Sequence, residues 1–167
     1  MLVNLNESYT VQSNEYFRWH ALALTSKGFT VFRCKPKDKT PLAIGWQNEA
    51  TTDEKRIIEL WNETPTANIG IPTGKVNKLI VLDVDPKNGG FESLADLEKR
   101  HGKLPSTMTV TTGSGGLHYY FFYAGDDIRN SAGKLGPGLD IRGEGGYVVA
   151  PPSIHPNGNH YKFQGEL

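Results

Sequence analysis

The hydrophobic pattern in the first third of the chain predicts a helix followed by a strand. Residues 1–12 are polar and show no period, and we expect them to form an N-terminal arm. Apolar residues recur at helical spacing over residues 14–27, where Ser13 or the asparagine after it could cap the helix and Gly28 could end it. The segment Phe29–Cys34 is rich in apolar residues and predicts a strand.

The next segment predicts a second helix and a second short strand. Thr51 and Glu54 have the spacing of a capping box, so we expect a helix to begin at Thr51. Its core face would comprise Ile57, Ile58, Leu60 and Trp61. Residues 68–74 predict a strand that runs into a glycine turn.

A short apolar run, Leu79–Leu82, leads directly into Asp83 and Asp85. Such a run predicts a strand buried on both faces, and residues two apart on a strand project from the same face. Pro86 then prevents further pairing. Two carboxylates held side by side repel each other unless a proton or a cation intervenes, and oxygen ligands suit Mg²⁺. The alternative is a strand that simply ends in a solvated acidic turn.

Beyond this strand the pattern predicts a crossover unit and then a hairpin with a glycine-rich turn. A helix from Phe91 to about His101 is followed by a strand at Thr107–Thr112. The turn after Thr112 precedes an alternating strand that begins near His118. Its glycines could let the backbone approach a ligand and form an anion nest, although a tight hairpin needs glycine for conformation alone. A histidine in such a strand is also commonly a packed residue without a ligand.

The last quarter of the chain contains a third acidic position beside a fixed cation. Asp140 and Arg142 share one face of a predicted strand, which indicates either part of the same site or a local salt bridge on a hairpin. Tyr147–Ala150 predicts a strong strand that Pro151 interrupts. A turn and a final strand at Tyr161–Phe163 follow.

Composition and charge restrict the classes of function. The 167 residues suit one domain, and 18 basic residues balance 18 acidic ones, so nucleic acid could bind only through a local patch. One candidate is the loop Lys35–Pro41 with its three lysines, which is either a solvated loop or a phosphate contact. The single Cys34 excludes an internal disulfide and a cysteine-based zinc module. No apolar stretch approaches the roughly 20 residues of a membrane span, so we expect a cytoplasmic protein that does not bind membranes.

Three motifs in order, DVD, SGGLH and GLDIRGEGGYVVAPPS, resemble the primase-polymerase domain of the archaeo-eukaryotic primase superfamily, found in plasmid and phage replication proteins. The resemblance runs from about Lys39 to Phe163. It implies an α/β (α+β) fold in which an N-terminal α/β unit packs on a C-terminal sheet like an RNA-recognition motif, with the active site between them. Residues 1–167 would form a single catalytic domain with its core at about 13–163. We expect this domain to be the excised core of a longer replication protein, because relatives often carry a helical domain and a helicase downstream.

The resemblance also implies the residues of the site. Asp83, Asp85 and Asp140 correspond to catalytic ligands of two Mg²⁺ or Mn²⁺ ions, and His118 corresponds to a catalytic contact to the nucleotide phosphates. The other nucleotide-binding positions that it implies are Ser114, Gly115, Gly116, Arg142 and Lys39. Relatives with a zinc-bearing insertion use cysteines that this chain lacks.

The expected function is a template-directed DNA primase and polymerase, a nucleotidyltransferase that joins nucleoside triphosphates to a 3′-hydroxyl of a DNA primer by a two-metal mechanism. A two-metal nuclease or phosphohydrolase explains the DVD motif equally well, but it makes no use of a glycine turn before His118. A non-catalytic nucleic-acid-binding module of the same fold is a third possibility. The acidic residues argue against it, because uncompensated carboxylates repel DNA phosphates.

Overall fold

The structure is a computed structural model that describes residues 15–122, 125 and 127–165. The predicted arm at 1–12 and the proposed N-cap at Ser13 or Asn14 lie outside these ranges. The helices are α1 (Tyr16–Ser26), α2 (Trp46–Glu49), α3 (Glu54–Glu63) and α4 (Gly90–His101), with a 3₁₀ turn at Pro86–Asn88. The strands are β1 (Phe32–Cys34), β2 (Asn68–Pro72), β3 (Leu79–Val84), β4 (Thr109–Thr111), β5 (Leu117–Phe122), β6 (Ser131–Ala132), β7 (Leu139–Arg142), β8 (Tyr147–Ala150) and β9 (Lys162–Gln164).

The N-terminal unit is built around a three-stranded antiparallel sheet in the order β1-β2-β8. Its central strand β2 is buried at every residue. The helices α1 and α3 pack against each other beside this sheet and contribute Leu24, Leu60 and Trp61 to the core. The predicted capping box is wrong, because α3 is capped by Asp53, whose carboxylate accepts a hydrogen bond from the Arg56 N–H at 2.7 Å.

The second sheet has six strands in the order β6-β7-β3-β5-β4-β9. Both β3 and β4 run antiparallel to β5, so they are parallel to each other with β5 between them. This confirms the predicted crossover through α4. Within the described ranges, no helix is both long and apolar enough to span a membrane.

The two faces of the larger sheet are covered by different partners. Leu82, Val84 and Leu139 pack with Leu94 of α4 on the outer face. Val81, Val110 and Tyr120 on the inner face join the core of the N-terminal unit. The inner face of the sheet therefore meets the smaller sheet. The predicted α/β (α+β) class, with an N-terminal unit packed on a second sheet, is confirmed.

The short loop between β7 and β8 connects the two sheets. The strands β7 and β8 are separated by only a short loop, yet β7 pairs with β3 and β8 pairs with β2 in the other sheet. The Asp140–Arg142 segment therefore pairs antiparallel with β6, as the hairpin alternative expected, and not with Tyr147–Ala150. Because of this crossing, Tyr147 at the start of β8 lies across the cavity from the inner face of the larger sheet.

Candidate active site

The site is centred on a row of polar residues that crosses three adjacent strands. Asp83 of β3 is paired directly with Asp140 of β7 on one side and with His118 of β5 on the other. Side chains of directly opposed residues lie on the same face of a sheet. Strand register thus brings these three residues together, although they are far apart in the sequence.

Arg142 supplies the positive charge between the two carboxylates of this row. Its Nη2 donates to Asp83 Oδ2 and to Asp140 Oδ2, both at 3.1 Å. On the other side, His118 Nε2 lies 3.4 Å from Asp83 Oδ1. Burial by itself would raise the pKa of Asp83, but hydrogen bonding and charge from His118, and then from Arg142, outweigh it and lower this pKa to about 2. Asp83 is therefore held as a carboxylate.

Two buried polar atoms next to this row have no hydrogen-bond partner among the described residues. They are His118 Nδ1 and the Tyr120 hydroxyl. His118 is only 6 % exposed and Tyr120 only 3 %, so their unpaired atoms are not compensated by bulk solvent. Burial also raises the pKa of Tyr161, whose ring lies 6.1 Å from that of His118. This face has spare hydrogen-bonding capacity next to the acidic pair.

Asp85 follows the end of β3 and is fixed through its backbone. Its N–H donates to Gly138 O at 2.8 Å, and its carbonyl accepts from Gly90 N at 2.9 Å. A Cβ at Gly138 would lie 2.7 Å from Asp85 O, so this close approach requires glycine. The carboxylate accepts from Lys87 N at 2.9 Å and from Asn88 Nδ2 at 2.7 Å. Each carboxylate oxygen has a second lone pair, so the group remains able to bind a ligand.

The glycine-rich turn between β4 and β5 is held by its own side chains. The N–H of Gly115 donates to the Thr112 carbonyl, and the N–H of Gly116 donates to the Thr112 side-chain Oγ1. These two amides are therefore not free for an anion nest. Among the amides of this turn, those of Gly113 and Ser114 donate no hydrogen bond within the described ranges. The predicted nest is therefore restricted to these two N–H groups.

The loop at residues 155–159 forms hydrogen bonds to the glycine-rich turn, a contact that the sequence interpretation missed. The side-chain amides of Asn157 and Asn159 donate to Gly113 O at 2.9 Å and 3.0 Å. His155 packs its Cβ against Gly113, where an added Cβ would lie 2.2 Å away. The three polar residues stand in a segment that sequence alone indicates only as a turn.

These elements surround a cavity of about 330 Å³ between the two sheets. The larger sheet lines one side of the cavity with acidic residues, and Trp46 of α2 and Tyr147 of β8 line the opposite side with aromatic rings. Its lining comprises Lys39, Trp46, Asp83, Val84, Asp85, Thr112, Ser114, His118, Asn130, Asp140, Arg142, Gly145, Gly146, Tyr147, Val148, Val149 and Tyr161.

The chain matches a known protein family over most of its length. Residues 21–166 match the family model described as bifunctional DNA primase/polymerase, N-terminal (Prim-Pol). The chain belongs to the Prim-Pol family. This confirms the resemblance predicted from the three motifs and supports a DNA primase/polymerase type of function in general. A comparison with curated proteins finds no match.

Most residues that the sequence singled out in this Prim-Pol chain lie together at the cavity. Asp83, Asp85, Asp140, His118, Ser114, Arg142 and Lys39 all line it. Gly115 and Gly116 are not lining residues, and Gly116 instead packs its Cα against the end of β3. The sequence interpretation missed Trp46 and Tyr147, whose rings pack 5.2 Å apart on the opposite wall. Their only sequence signal was an aromatic residue beside glycine, at Gly45-Trp46 and Gly146-Tyr147.

The chemistry of the acidic pair is suited to a cation. The Arg142 guanidinium bridges Asp83 and Asp140, so this point of the cavity already stabilises positive charge. Carboxylate oxygens are the ligands that Mg²⁺ and Mn²⁺ prefer. Within the part of the chain that the structure describes, no group of three or more His, Cys, Asp or Glu side chains is already arranged as a metal site. The carboxylates of Asp83 and Asp140 nevertheless have the donor atoms that suit a divalent cation, and these two residues are the best placed to hold one.

Proposed function

We propose that this chain is a template-directed DNA primase and polymerase that joins nucleoside triphosphates to a 3′-hydroxyl. The observation that supports this most is the row formed by Asp140, Asp83 and His118, which lies in one cavity with Ser114 and Arg142. Family membership supports a primase/polymerase type of function. We further propose that the protein acts in plasmid or phage DNA replication, as relatives that share its motifs do.

In this proposal Asp83, Asp85 and Asp140 hold two Mg²⁺ or Mn²⁺ ions. When bound, such ions lower the pKa of an attacking hydroxyl and neutralise charge on the leaving phosphates. The low pKa of Asp83 keeps its carboxylate ionised at neutral pH, as ligation requires. Asp85 retains lone pairs beyond its bonds to Lys87 and Asn88.

The remaining polar residues would bind the triphosphate of the incoming nucleotide. His118 lines the cavity and its Nδ1 has no partner among the described residues, so the ring would donate to a phosphate oxygen if this nitrogen carries the proton and turns toward the cavity. Ser114, with its hydroxyl and N–H, lines the same cavity, as does Lys39. Arg142 can exchange one carboxylate partner for a phosphate, since its charge is not fixed to one group. Trp46 and Tyr147 provide an aromatic wall on which a base or sugar can pack.

The direct test is incubation of the protein with a labelled primer on a template, dNTPs and Mg²⁺ or Mn²⁺. Extension of the primer that follows the template sequence supports the proposal. Shortening of the primer would instead indicate a nuclease, and retention without any change of length would indicate a binding module. A second reaction with an unprimed template and both rNTPs and dNTPs shows whether the chain also starts strands.

A further inference from the structure

The segment from Lys35 to Trp46, here called the lysine loop, lies beside the cavity and is only partly used by it. Its lysines at 35, 37 and 39 are exposed, and no ion pair involves them among the described residues. The one acid in the loop is Asp38. The loop therefore presents a net positive surface beside an acidic cavity.

The backbone of the lysine loop is fixed, although no ion pair holds its lysines among the described residues. The Asp38 carboxylate accepts from the N–H groups of Lys39 and Thr40 at 2.6 Å and 2.9 Å, so the acid shapes the turn, and the charge of Lys35 acts on it only from a distance. Asn68 of β2 donates to Asp38 O at 2.9 Å, and the Tyr147 hydroxyl donates to Lys39 O at 3.1 Å. A charged loop that is held from both sides loses little entropy on binding.

A buried ion pair fixes the far end of the loop. Arg33 of β1 is 7 % exposed, and its Nη2 lies 2.9 Å from Glu49 Oε2. Glu49 ends α2, which begins at Trp46, and Trp46 stacks on Phe32 with ring centroids 4.4 Å apart. Both ends of the loop are therefore anchored in the core of the N-terminal unit.

The position of the lysine loop beside the cavity suits contact with a nucleic-acid strand whose end lies in the cavity. Lys39 and Trp46 line the cavity, so the segment between them begins and ends beside it. Ile44 in this segment is fully exposed at 108 %. An apolar side chain there can contact a sugar or a base, while lysines at 35 and 37 reach phosphates.

We infer that the lysine loop is a binding surface for a nucleic-acid strand, with Lys35 and Lys37 on the phosphates and Ile44 on a sugar or base. The nature of the strand, primer or template, rests on the proposed function, but binding itself does not. Lys39 is not assigned to this strand, because it lines the cavity, where we propose that it contacts the nucleotide. The partner is a polyanion that also offers apolar surface, which distinguishes a nucleic-acid strand from inorganic polyphosphate.

The test measures binding of a fluorescein-labelled single-stranded DNA over a range of salt concentrations, without metal or nucleotide. Lys35→Gln with Lys37→Gln should weaken binding roughly tenfold at low salt and reduce the slope of log K against log salt by about 1.4, since each phosphate contact on a single strand contributes about 0.7. Ile44→Ser should weaken binding several-fold without changing that slope, because an apolar contact releases no counterions.

The matched control is Lys55→Gln with Lys99→Gln, which removes two exposed lysines from α3 and α4 that do not line the cavity. The control should bind like the wild type. A loop variant that is indistinguishable from the control, or a wild-type chain that binds no DNA, overturns the inference. Competition by inorganic polyphosphate as strong as that by DNA of equal charge also overturns it. Because no metal or nucleotide is present, these outcomes do not depend on whether the cavity catalyses polymerisation.

Discussion

Asp83 and Asp140 face each other as directly paired residues of β3 and β7, and one nitrogen of Arg142 lies 3.1 Å from an oxygen of each. Two carboxylates on neighbouring strands would repel each other without this guanidinium. The fold therefore pairs the acids with an internal cation, and any metal ion that binds them must share the space with Arg142.

Arg142→Ala should bind Mn²⁺ more tightly than the wild type in the absence of DNA and nucleotide, by several-fold or more. Removal of the guanidinium takes away a positive charge that opposes a second cation and frees two carboxylate oxygens. Titration calorimetry measures this directly. Arg129→Ala is the control, because Arg129 is exposed and pairs with Asp127 instead. Equal Mn²⁺ affinity for all three proteins would contradict competition between Arg142 and the metal.

His118→Ala should raise the KM for nucleotide by roughly tenfold, since a hydrogen bond to a charged group contributes about 1.5–3 kcal/mol. Affinity for the primer–template should stay close to that of the wild type, and incorporation should recover at high nucleotide concentration. Measurements of kcat, KM and melting temperature on this variant decide the role. A fall in kcat at unchanged KM would instead indicate a general base, and a parallel loss of activity and thermal stability would indicate a packing role.

Gly116→Ala should destabilise the protein, because it disturbs the packing of the β4–β5 turn against the end of β3. An added Cβ would lie 2.4 Å from the carbonyl oxygen of Val84, and backbone cannot move aside cheaply. We expect a loss in the free energy of unfolding near the upper end of about 1–3 kcal/mol, clearly larger than that of the control below. Gly115→Ala is the control, because its Cβ meets nothing within 4 Å and only the φ of +86° is unfavourable, at about 1 kcal/mol. Equal unfolding free energies for the two variants would mean that the approach to Val84 is not tight.

The stability of the chain should fall between about pH 6.5 and pH 4 in a way that depends on His20. Burial lowers the pKa of His20 to about 4, whereas an unfolded histidine titrates near 6.5. In this window the unfolded state binds a proton that the folded state does not, so the free energy of unfolding decreases as pH falls, by at most about 1.4 kcal/mol per pH unit. Denaturant unfolding of the wild type and of His20→Gln at several pH values measures this. Parallel curves for the two proteins would show that His20 is not responsible.

The sequence predicted the central elements well because their signals are local. The apolar run of β3, the alternation of β5 and the apolar spacing of α4 each depend on near neighbours in the chain. The site residues Asp83, Asp85, Asp140 and His118 were instead implied by the family resemblance of the motifs that contain them. Asp83, His118 and Asp140 lie on strands, whereas Asp85 follows the end of β3.

The missed features depend on tertiary contacts that no local pattern encodes. Assignment of β8 to the sheet opposite β7 brings Tyr147 to the cavity, and the stacking of Trp46 on Phe32 depends on a fold that is already formed. Capping of α3 by Asp53 rather than Thr51 is a choice between two good capping residues only two positions apart. The use of the Gly115 and Gly116 amides by Thr112 likewise depends on the geometry of the turn.

The central claim is that the carboxylates of Asp83 and Asp140 support nucleotide incorporation. Primer extension with Mn²⁺ by Asp83→Asn, Asp140→Asn and the control Asp96→Asn, on the exposed face of α4, tests it most directly. All three variants should remain folded by circular dichroism. The first two should lose incorporation by about a thousandfold or more, because a neutral amide cannot replace a metal-binding charge, while Asp96→Asn should extend the primer like the wild type. Extension near the wild-type rate by a folded Asp83→Asn or Asp140→Asn variant would contradict the account.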